Sequence, residues 1–388
     1  MHKFISYGRQ AIDEDDVKYL IDTLKSDYLT QGPRVLEFEK AICDYTGAKY
    51  CVAVANGTAA LHIAVKALGI TSGEGITSCN TFVASSNALV YNSIKPIFSD
   101  IDGETYNLDL QDLEKRINKD TKIIIPVHFA GEAVDMEKVN DLAKKNDLFV
   151  IEDAAHAIGS RYKNGKKVGS CIYSDMTTFS FHPVKTITTG EGGAITTNNL
   201  DLYKKLLLLR SHGITKDENL FENENAGPWY YEMQDLGFNY RITDFQCALG
   251  ITQLKKLDKF IERRREICRI YIEAFQDIKN IKVPDYKNIE NNAYHLFVLQ
   301  IDFDKIGKTR KQVMTELLAK NIGTQVHYIP VHTQPYYVKN FGYKNGDYPV
   351  CEEYYKKALS IPLFPTMTDE DVQYVIKSLM EVLSLGEK

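Results

Sequence analysis

The segment Thr178–Gly193, TFSFHPVKTITTGEGG, sets Lys185 on a loop behind an apolar strand pattern and ahead of a glycine-rich turn. An amine at the end of a buried strand loses solvation, and desolvation lowers its pKa. A neutral amine condenses with an aldehyde to a Schiff base. Most loop lysines are simply solvated, so Lys185 draws its meaning from its company. In Ile151–Ile158, IEDAAHAI, Asp153 stands at the carboxyl end of the run Leu148–Ile151. Open α/β sheets bind ligands outside the carboxyl ends of their strands. A carboxylate there can pair with a protonated ring nitrogen and keep the ring an electron sink. By itself such an aspartate would cap a helix. His156 follows one turn on; by itself it would be a satisfied core histidine. In Ala55–Leu61, ANGTAAL, small residues precede a helix that begins near Thr58. Free N–H groups at a helix start attract anions, and Thr58 adds a hydroxyl.

In chain order these segments supply an anion cradle, a partner for a pyridinium nitrogen and a Schiff-base lysine. Each is weak alone. Together they are the set that pyridoxal 5′-phosphate (PLP) requires.

The surrounding pattern has to place them. Strand-like runs cover Tyr50–Ala55, Lys95–Ile101, Lys122–Val127, Leu148–Glu152, Met176–Phe181 and Gly193–Thr197. Helical patterns over Thr58–Leu68, Leu108–Ile117 and Met136–Lys145 lie between them. Continuous apolar strands alternating with amphipathic helices predict a mostly parallel sheet covered on both faces. The texture changes near Asp244, where a long helical stretch, Phe245–Arg269, begins. Beyond it lie a strand at Tyr294–Ile301, a helix at Lys311–Lys320, an aromatic loop over His327–Tyr343, and helices at Val350–Leu359 and Asp369–Leu383. We expect a large domain over 1–245 and a smaller C-terminal α/β domain over 246–388, with the long helix as bridge.

The chain has 388 residues and a net charge of −5. That balance argues against a nucleic-acid binder, which needs a basic face. Seven cysteines without a C-x-x-C pair argue against a zinc ribbon or disulfide scaffold and suit a reducing compartment. Acidic residues interrupt MHKFISYGRQAIDEDD, and no apolar run approaches about 18 residues, so we expect neither a secretory leader nor a membrane span, and a cytoplasmic protein.

The chain resembles the DegT/DnrJ family of nucleotide-sugar aminotransferases. The resemblance runs through Tyr28-Leu29-Thr30-Gln31-Gly32, NGTAAL, NTFVASSNAL, EDAAHAIGS, FSFHPVKTITTGEGGA, RSHG and GFNYRITDFQCALGITQL, nearly the whole chain. FHPVKTITTGEGG, FNYR and the QVHY near residue 325 are especially similar to the branch acting in pseudaminic acid synthesis. The resemblance implies the fold-type-I PLP-dependent aminotransferase architecture: α/β, a mostly parallel central sheet and a smaller C-terminal α/β domain. It implies that Lys185 carries PLP and shuttles protons, that Asp153 pairs with the pyridine nitrogen, and that His156 contacts the ring oxygen. Phe82 would stack on the ring. Gly57, Thr58, Ala59 and Ser180 would hold the phosphate, with Asn239 reaching the phosphate region of a neighbouring subunit in a homodimer. Tyr7, Asp27, Tyr28, Leu29, Thr30, His182, Asn239, His327 and Tyr328 would line the sugar-nucleotide pocket.

The implied reaction moves an amino group from L-glutamate to C4 of a UDP-2-acetamido-2,6-dideoxy-4-ketohexose of L-arabino configuration. The product would be UDP-4-amino-4,6-dideoxy-N-acetyl-β-L-altrosamine. The alternative is the same chemistry on another UDP- or dTDP-linked keto sugar. Arg9, Lys25 and Arg241 are candidate cations for the diphosphate. Trp229, in the loop Glu218–Gln234, is a candidate lid or dimer contact.

One departure is SGEGITSCNTF, where the family commonly has Gly-Asp-x-Val-Ile and then proline; Cys79 stands about where the proline would be, which puts the local strand geometry in question. A PLP-binding regulator is disfavoured because no helix-turn-helix or basic stripe is evident. A zinc enzyme is disfavoured because His327 and His332 lack helical ligand spacing and Pro330 intervenes. No metal is expected.

Overall fold

A computed structural model describes residues 2–224, 226–284 and 288–384. Its strands are β1 (Tyr50–Val54), β2 (Glu74–Ser78), β3 (Lys95–Ser99), β4 (Thr121–Ile125), β5 (Phe149–Asp153), β6 (Met176–Ser180), β7 (Gly193–Thr197), β8 (Ile214–Thr215), β9 (Glu232–Met233), β10 (Ile281–Lys282), β11 (Phe297–Ile301) and β12 (Ala358–Ile361). The helices are α1 (Glu14–Leu24), α2 (Pro33–Thr46), α3 (Gly57–Ala67), α4 (Val83–Tyr91), α5 (Leu110–Arg116), α6 (Met136–Asn146), α7 (Leu200–Arg210), α8 (Asp244–Phe275), α9 (Phe303–Ile306), α10 (Arg310–Ala319), α11 (Pro335–Phe341), α12 (Pro349–Lys357) and α13 (Asp369–Val382).

Seven strands form the central sheet in the order β1-β7-β6-β5-β4-β2-β3. All neighbours are parallel except β7, which runs antiparallel to both β1 and β6. Two reversals restore direction, so β1, β5 and β6 end on the same edge of the sheet. Gly57, Asp153 and Ser180 therefore meet there although 123 residues separate the first from the last.

The strand β2 breaks the apolar pattern that marks its neighbours, and the sequence reading leaves it unassigned. Its residues are EGITS, and Gly75 sits where an added Cβ would lie 2.4 Å from Leu89 Cδ2. The departure in this segment yields an ordinary parallel strand on the β3 side and a register shift at Glu74/Gly75 on the β4 side. Close helix packing explains the glycine. Two other readings are refined: the stretch His327–Tyr343 contains the helix α11, and the last residues of Val350–Leu359 leave the helix to form β12.

Helix α8 carries a Thr243 capping box with Gln246 and runs 32 residues. Its first half, through Cys247, Ile251, Leu254, Leu257 and Ile261, packs into the large core. Its second half, through Ile267, Cys268, Tyr271, Ile272 and Phe275, packs into the core of the three-stranded sheet β10-β11-β12. The N-terminal segment joins that second core: Ile5 is buried in it, and Ile5 exchanges backbone hydrogen bonds with Asn321 and Gly323. The smaller lobe thus takes its packing from both ends of the chain. Among the described residues no helix is long and apolar enough to cross a membrane.

Candidate active site

At the shared edge of β1, β5 and β6 lies a cavity of about 900 Å³. Its walls include Tyr7, Gly57, Thr58, Ala59, Phe82, Asp153, His156, Ser180, His182, Lys185, His327 and Tyr328. The size suits a cofactor together with a small substrate.

Lys185 follows β6 on a tight turn whose N–H reaches the His182 carbonyl at 2.8 Å. Burial pulls its ammonium down to about 8, against the opposing charge of Asp153. That raises the neutral fraction at neutral pH far above an ordinary lysine's, which favours Schiff-base chemistry.

Asp153 closes β5 and is 6% exposed. Its Oδ2 accepts the Ser85 hydroxyl at 2.6 Å and its Oδ1 the Ala155 N–H at 3.1 Å. Both bonds fix the orientation of the carboxylate. On the opposite face of the strand, Glu152 is fully buried. It accepts from Tyr162, Ser174, Thr177 and His128. Burial pushes the Glu152 pKa up, but His128, Ser174 and Tyr162 outweigh it, and the net shift is downward.

The anion cradle forms where α3 begins. Asn56 caps the helix, its Oδ1 accepting the Ala59 N–H at 2.8 Å. The first turn leaves the N–H groups of Gly57 and Thr58 without an intrahelical acceptor. Ala59 lines the cavity, but its donor is already engaged by Asn56, unlike the role implied for it from sequence. A Cβ on Gly57 would lie 2.8 Å from Ser180 Cβ, so only glycine lets the helix start abut the end of β6. Free N–H groups, the Ser180 side chain and this glycine-made recess fit a phosphate.

Aromatic side chains close the remaining wall. The Phe82 ring is 58% exposed into this space and lies 6.2 Å from that of Tyr328. His156 Nε2 is 3.0 Å from the Tyr328 hydroxyl, and its Nδ1 is buried without a partner among the described residues. His295, which sequence reasoning did not single out, lies against His156 with the rings tilted by 35° and centroids 4.3 Å apart. Burial and the nearby charge of Lys185 hold His156, His295 and His327 below the usual histidine range, His327 at about 3. These imidazoles are neutral donors and acceptors rather than cations.

Other implied residues lie elsewhere. Asp27, Tyr28, Leu29 and Thr30 are exposed and do not line the cavity of one chain; they are pinned at the start of α8, where the Asp244 N–H meets the Leu29 carbonyl at 2.9 Å. Asn239 is also exposed and pairs through its backbone with Ser211. Arg9, Lys25 and Arg241 are absent from the described lining, whose one Lys or Arg is Lys185. His327 and His332 turn to different partners, Ser360 and Glu352. Trp229 is 73% exposed on an arm between β8 and β9. The Glu232 carboxylate ties that arm by accepting the N–H groups of Glu222 and Asn223. Residue 225 of the 218–234 loop lies outside the described residues. Ser85, though inside the quoted NTFVASSNAL motif, and Tyr240, bonded to His62 at 3.0 Å, also went unassigned in the sequence; only spatial neighbours reveal them.

Comparison with known proteins places this geometry. The profile of the DegT/DnrJ/EryC1/StrS aminotransferase family matches residues 10–380. The spore coat polysaccharide biosynthesis protein SpsC of Bacillus subtilis is 42% identical over 98% of this chain and 97% of its own length. A UDP-4-amino-4,6-dideoxy-N-acetyl-beta-L-altrosamine transaminase of Campylobacter jejuni is 40% identical over 99% of both chains. The solved structure of Helicobacter pylori PseC, an aminotransferase of pseudaminic acid biosynthesis, superposes with a TM-score of 0.90 at 32% identity, covering 98% of this chain and 100% of that one.

Proposed function

The chain belongs to the DegT/DnrJ/EryC1/StrS aminotransferase family and is a PLP-dependent sugar aminotransferase; from this premise we propose that it aminates C4 of a UDP-linked 2-acetamido-2,6-dideoxy-4-ketohexose of L-arabino configuration. L-Glutamate is the amino donor and UDP-4-amino-4,6-dideoxy-N-acetyl-β-L-altrosamine the product. The observation that carries the reading is the convergence of Lys185, Asp153 and the α3 cradle on one cavity. The similarity to the Campylobacter jejuni and Helicobacter pylori enzymes supports the sugar.

When bound, PLP supplies an aldehyde and an electron-withdrawing ring. The protein's own groups do the rest. Lys185 would hold the cofactor and would move the proton at the reacting carbon. A pKa of about 8 lets it act as base and as acid near neutral pH. Asp153, at the end of β5, would pair with the ring nitrogen. Gly57, Thr58 and Ser180 would hold the phosphate, Phe82 would cover the ring, and His156 would serve the ring oxygen. Tyr7, His182, His327 and Tyr328 orient the sugar. Asn239 and the exposed Asp27–Thr30 stretch would complete the site of a second copy in a homodimer, and the exposed Trp229 arm is a candidate lid or contact with that copy. We keep the division at 245/246 with α8 as the bridge.

A second reading, amination of another keto sugar nucleotide, is favoured by the comparable similarity to the Bacillus subtilis spore coat protein. A single-turnover half-reaction separates the two. The enzyme is loaded with PLP, converted to the amine form with glutamate, freed of donor, and offered purified keto sugar nucleotides one at a time. Return of the lysine-bound cofactor's visible band with the L-arabino UDP sugar alone is the expected result. Return with a D-configured or dTDP-linked sugar alone overturns the assignment in favour of the second reading.

A further inference from the structure

We propose that Tyr328 is a positioning residue whose hydroxyl donates to His156 Nε2 and so leaves the proton of that imidazole on Nδ1, facing the ring oxygen of the cofactor. The inference rests on the PLP site described above and gives Tyr328 a role distinct from lining the sugar pocket.

The Tyr328 hydroxyl and His156 Nε2 are 3.0 Å apart. A neutral imidazole has one donor and one acceptor nitrogen, and the partner of one fixes the other. Burial keeps the phenol protonated and the imidazole neutral. His156 is 5% exposed, lines the cavity, and has a buried Nδ1 with no partner among the described residues. A buried polar atom without a partner is costly, and a bound ligand can satisfy it. Were the proton on Nε2, Nδ1 would offer a lone pair to an anionic oxygen. With the proton on Nδ1, one donor meets that oxygen and Tyr328 satisfies the other nitrogen.

The surroundings hold both rings. Tyr328 packs against His327, Phe82 and Phe129, and its N–H reaches Asn80 Oδ1. His156 is sandwiched by His295 and the edge of Phe129. The titratable groups that act on the pair are Lys185, His295, His327, Asp153, Tyr7 and Tyr354. None of them is seen to take the His156 Nδ1 proton.

The test is a double-mutant cycle on PLP-loaded enzyme. Its readout is the pH midpoint of the lysine-bound cofactor's visible absorbance. A donor at the ring oxygen drains negative charge that otherwise favours protonation of the Lys185 nitrogen. Tyr328→Phe should therefore raise the midpoint by about half a pH unit. In a His156→Gln background the same change should leave the midpoint in place, because the tautomer it controls is gone. An equal rise in both backgrounds would show that Tyr328 acts independently of His156 and would overturn the proposal. So would an unmoved midpoint in Tyr328→Phe alone. A neutron structure of the holoenzyme reads the proton directly: deuterium on His156 Nδ1 supports the assignment, and deuterium on Nε2 overturns it. Wild-type protein that forms no band when supplied with PLP would instead sink the cofactor site itself.

Discussion

The Ser85 hydroxyl lies 2.6 Å from Asp153 Oδ2, joining the first turn of α4 to the end of β5. Asp153 is therefore held on one oxygen by a side chain from a different segment. In the proposed role it would meet the cofactor already oriented. The same contact ties the segment carrying Phe82 to the strand carrying Asp153, so the roles proposed for the two residues share one support.

Replacing Ser85 with alanine should weaken that support without removing the carboxylate. A charged hydrogen bond of this kind contributes roughly 1.5–3 kcal/mol. We expect kcat/KM to fall by roughly ten- to a hundredfold. Asp153→Asn should cost more than Ser85→Ala in the same assay, since it removes the counter-charge itself. An Asp153→Asn enzyme as active as Ser85→Ala would contradict the ordering.

Lys185 should react with PLP at a rate set by its neutral fraction. With the ammonium pulled down to about 8 from the ordinary 10.5, attachment should accelerate through pH about 8 and level off above it. Stopped-flow absorbance on apo protein would follow this. Lys185→Arg should bind the cofactor without a covalent link and lose at least about a thousandfold in turnover. A rate that keeps climbing toward pH 10 would mean that the amine is solvated.

Gly57→Ala tests the cradle. The new Cβ would stand 2.8 Å from Ser180 Cβ, at the recess proposed for the phosphate. PLP affinity should fall by about tenfold or more, the scale of one or two lost charged hydrogen bonds. Equilibrium dialysis would measure it. Pyridoxal, which lacks the phosphate, should bind both proteins nearly alike, and an equal loss for pyridoxal would place the damage elsewhere.

How far the sequence announces this site depends on how local each part is. Lys185, Asp153 and Gly57 stand out because each sits at a strand end beside its own glycine or small-residue signal. Strand periodicity placed β1, β3, β4, β5, β6 and β7 within a few residues of where they form. The contacts between distant segments left no such trace. Ser85 reaches Asp153 across 68 positions and Tyr328 reaches His156 across 172, and nothing in either segment marks the pairing. The approach of His295 to His156 is a tertiary contact, with Arg264 of α8 donating to the His295 carbonyl. The β2 strand was missed because Gly75, needed for Leu89 to pack, breaks the apolar run. Docking of Ile5 into the far lobe is likewise a product of tertiary packing, not of any pattern near the N-terminus.

Glu152 gives the last prediction, one about stability. Its carboxylate accepts from four side chains at once, with no exposure to water. Glu152→Gln turns one acceptor oxygen into a donor facing donors. Leaving buried groups unpaired should cost about 2–3 kcal/mol. The pH profile separates charge from shape. The Glu152 pKa is lowered in the folded chain from an ordinary 4.5. The unfolded chain thus takes up this proton first as pH falls. The stabilisation is fully present above pH 4.5 and is lost as pH falls through the lower folded value. Urea unfolding of wild type and Glu152→Gln across that range should show the difference between them narrowing toward acid. A constant difference at every pH would assign the effect to packing and not to the buried charge.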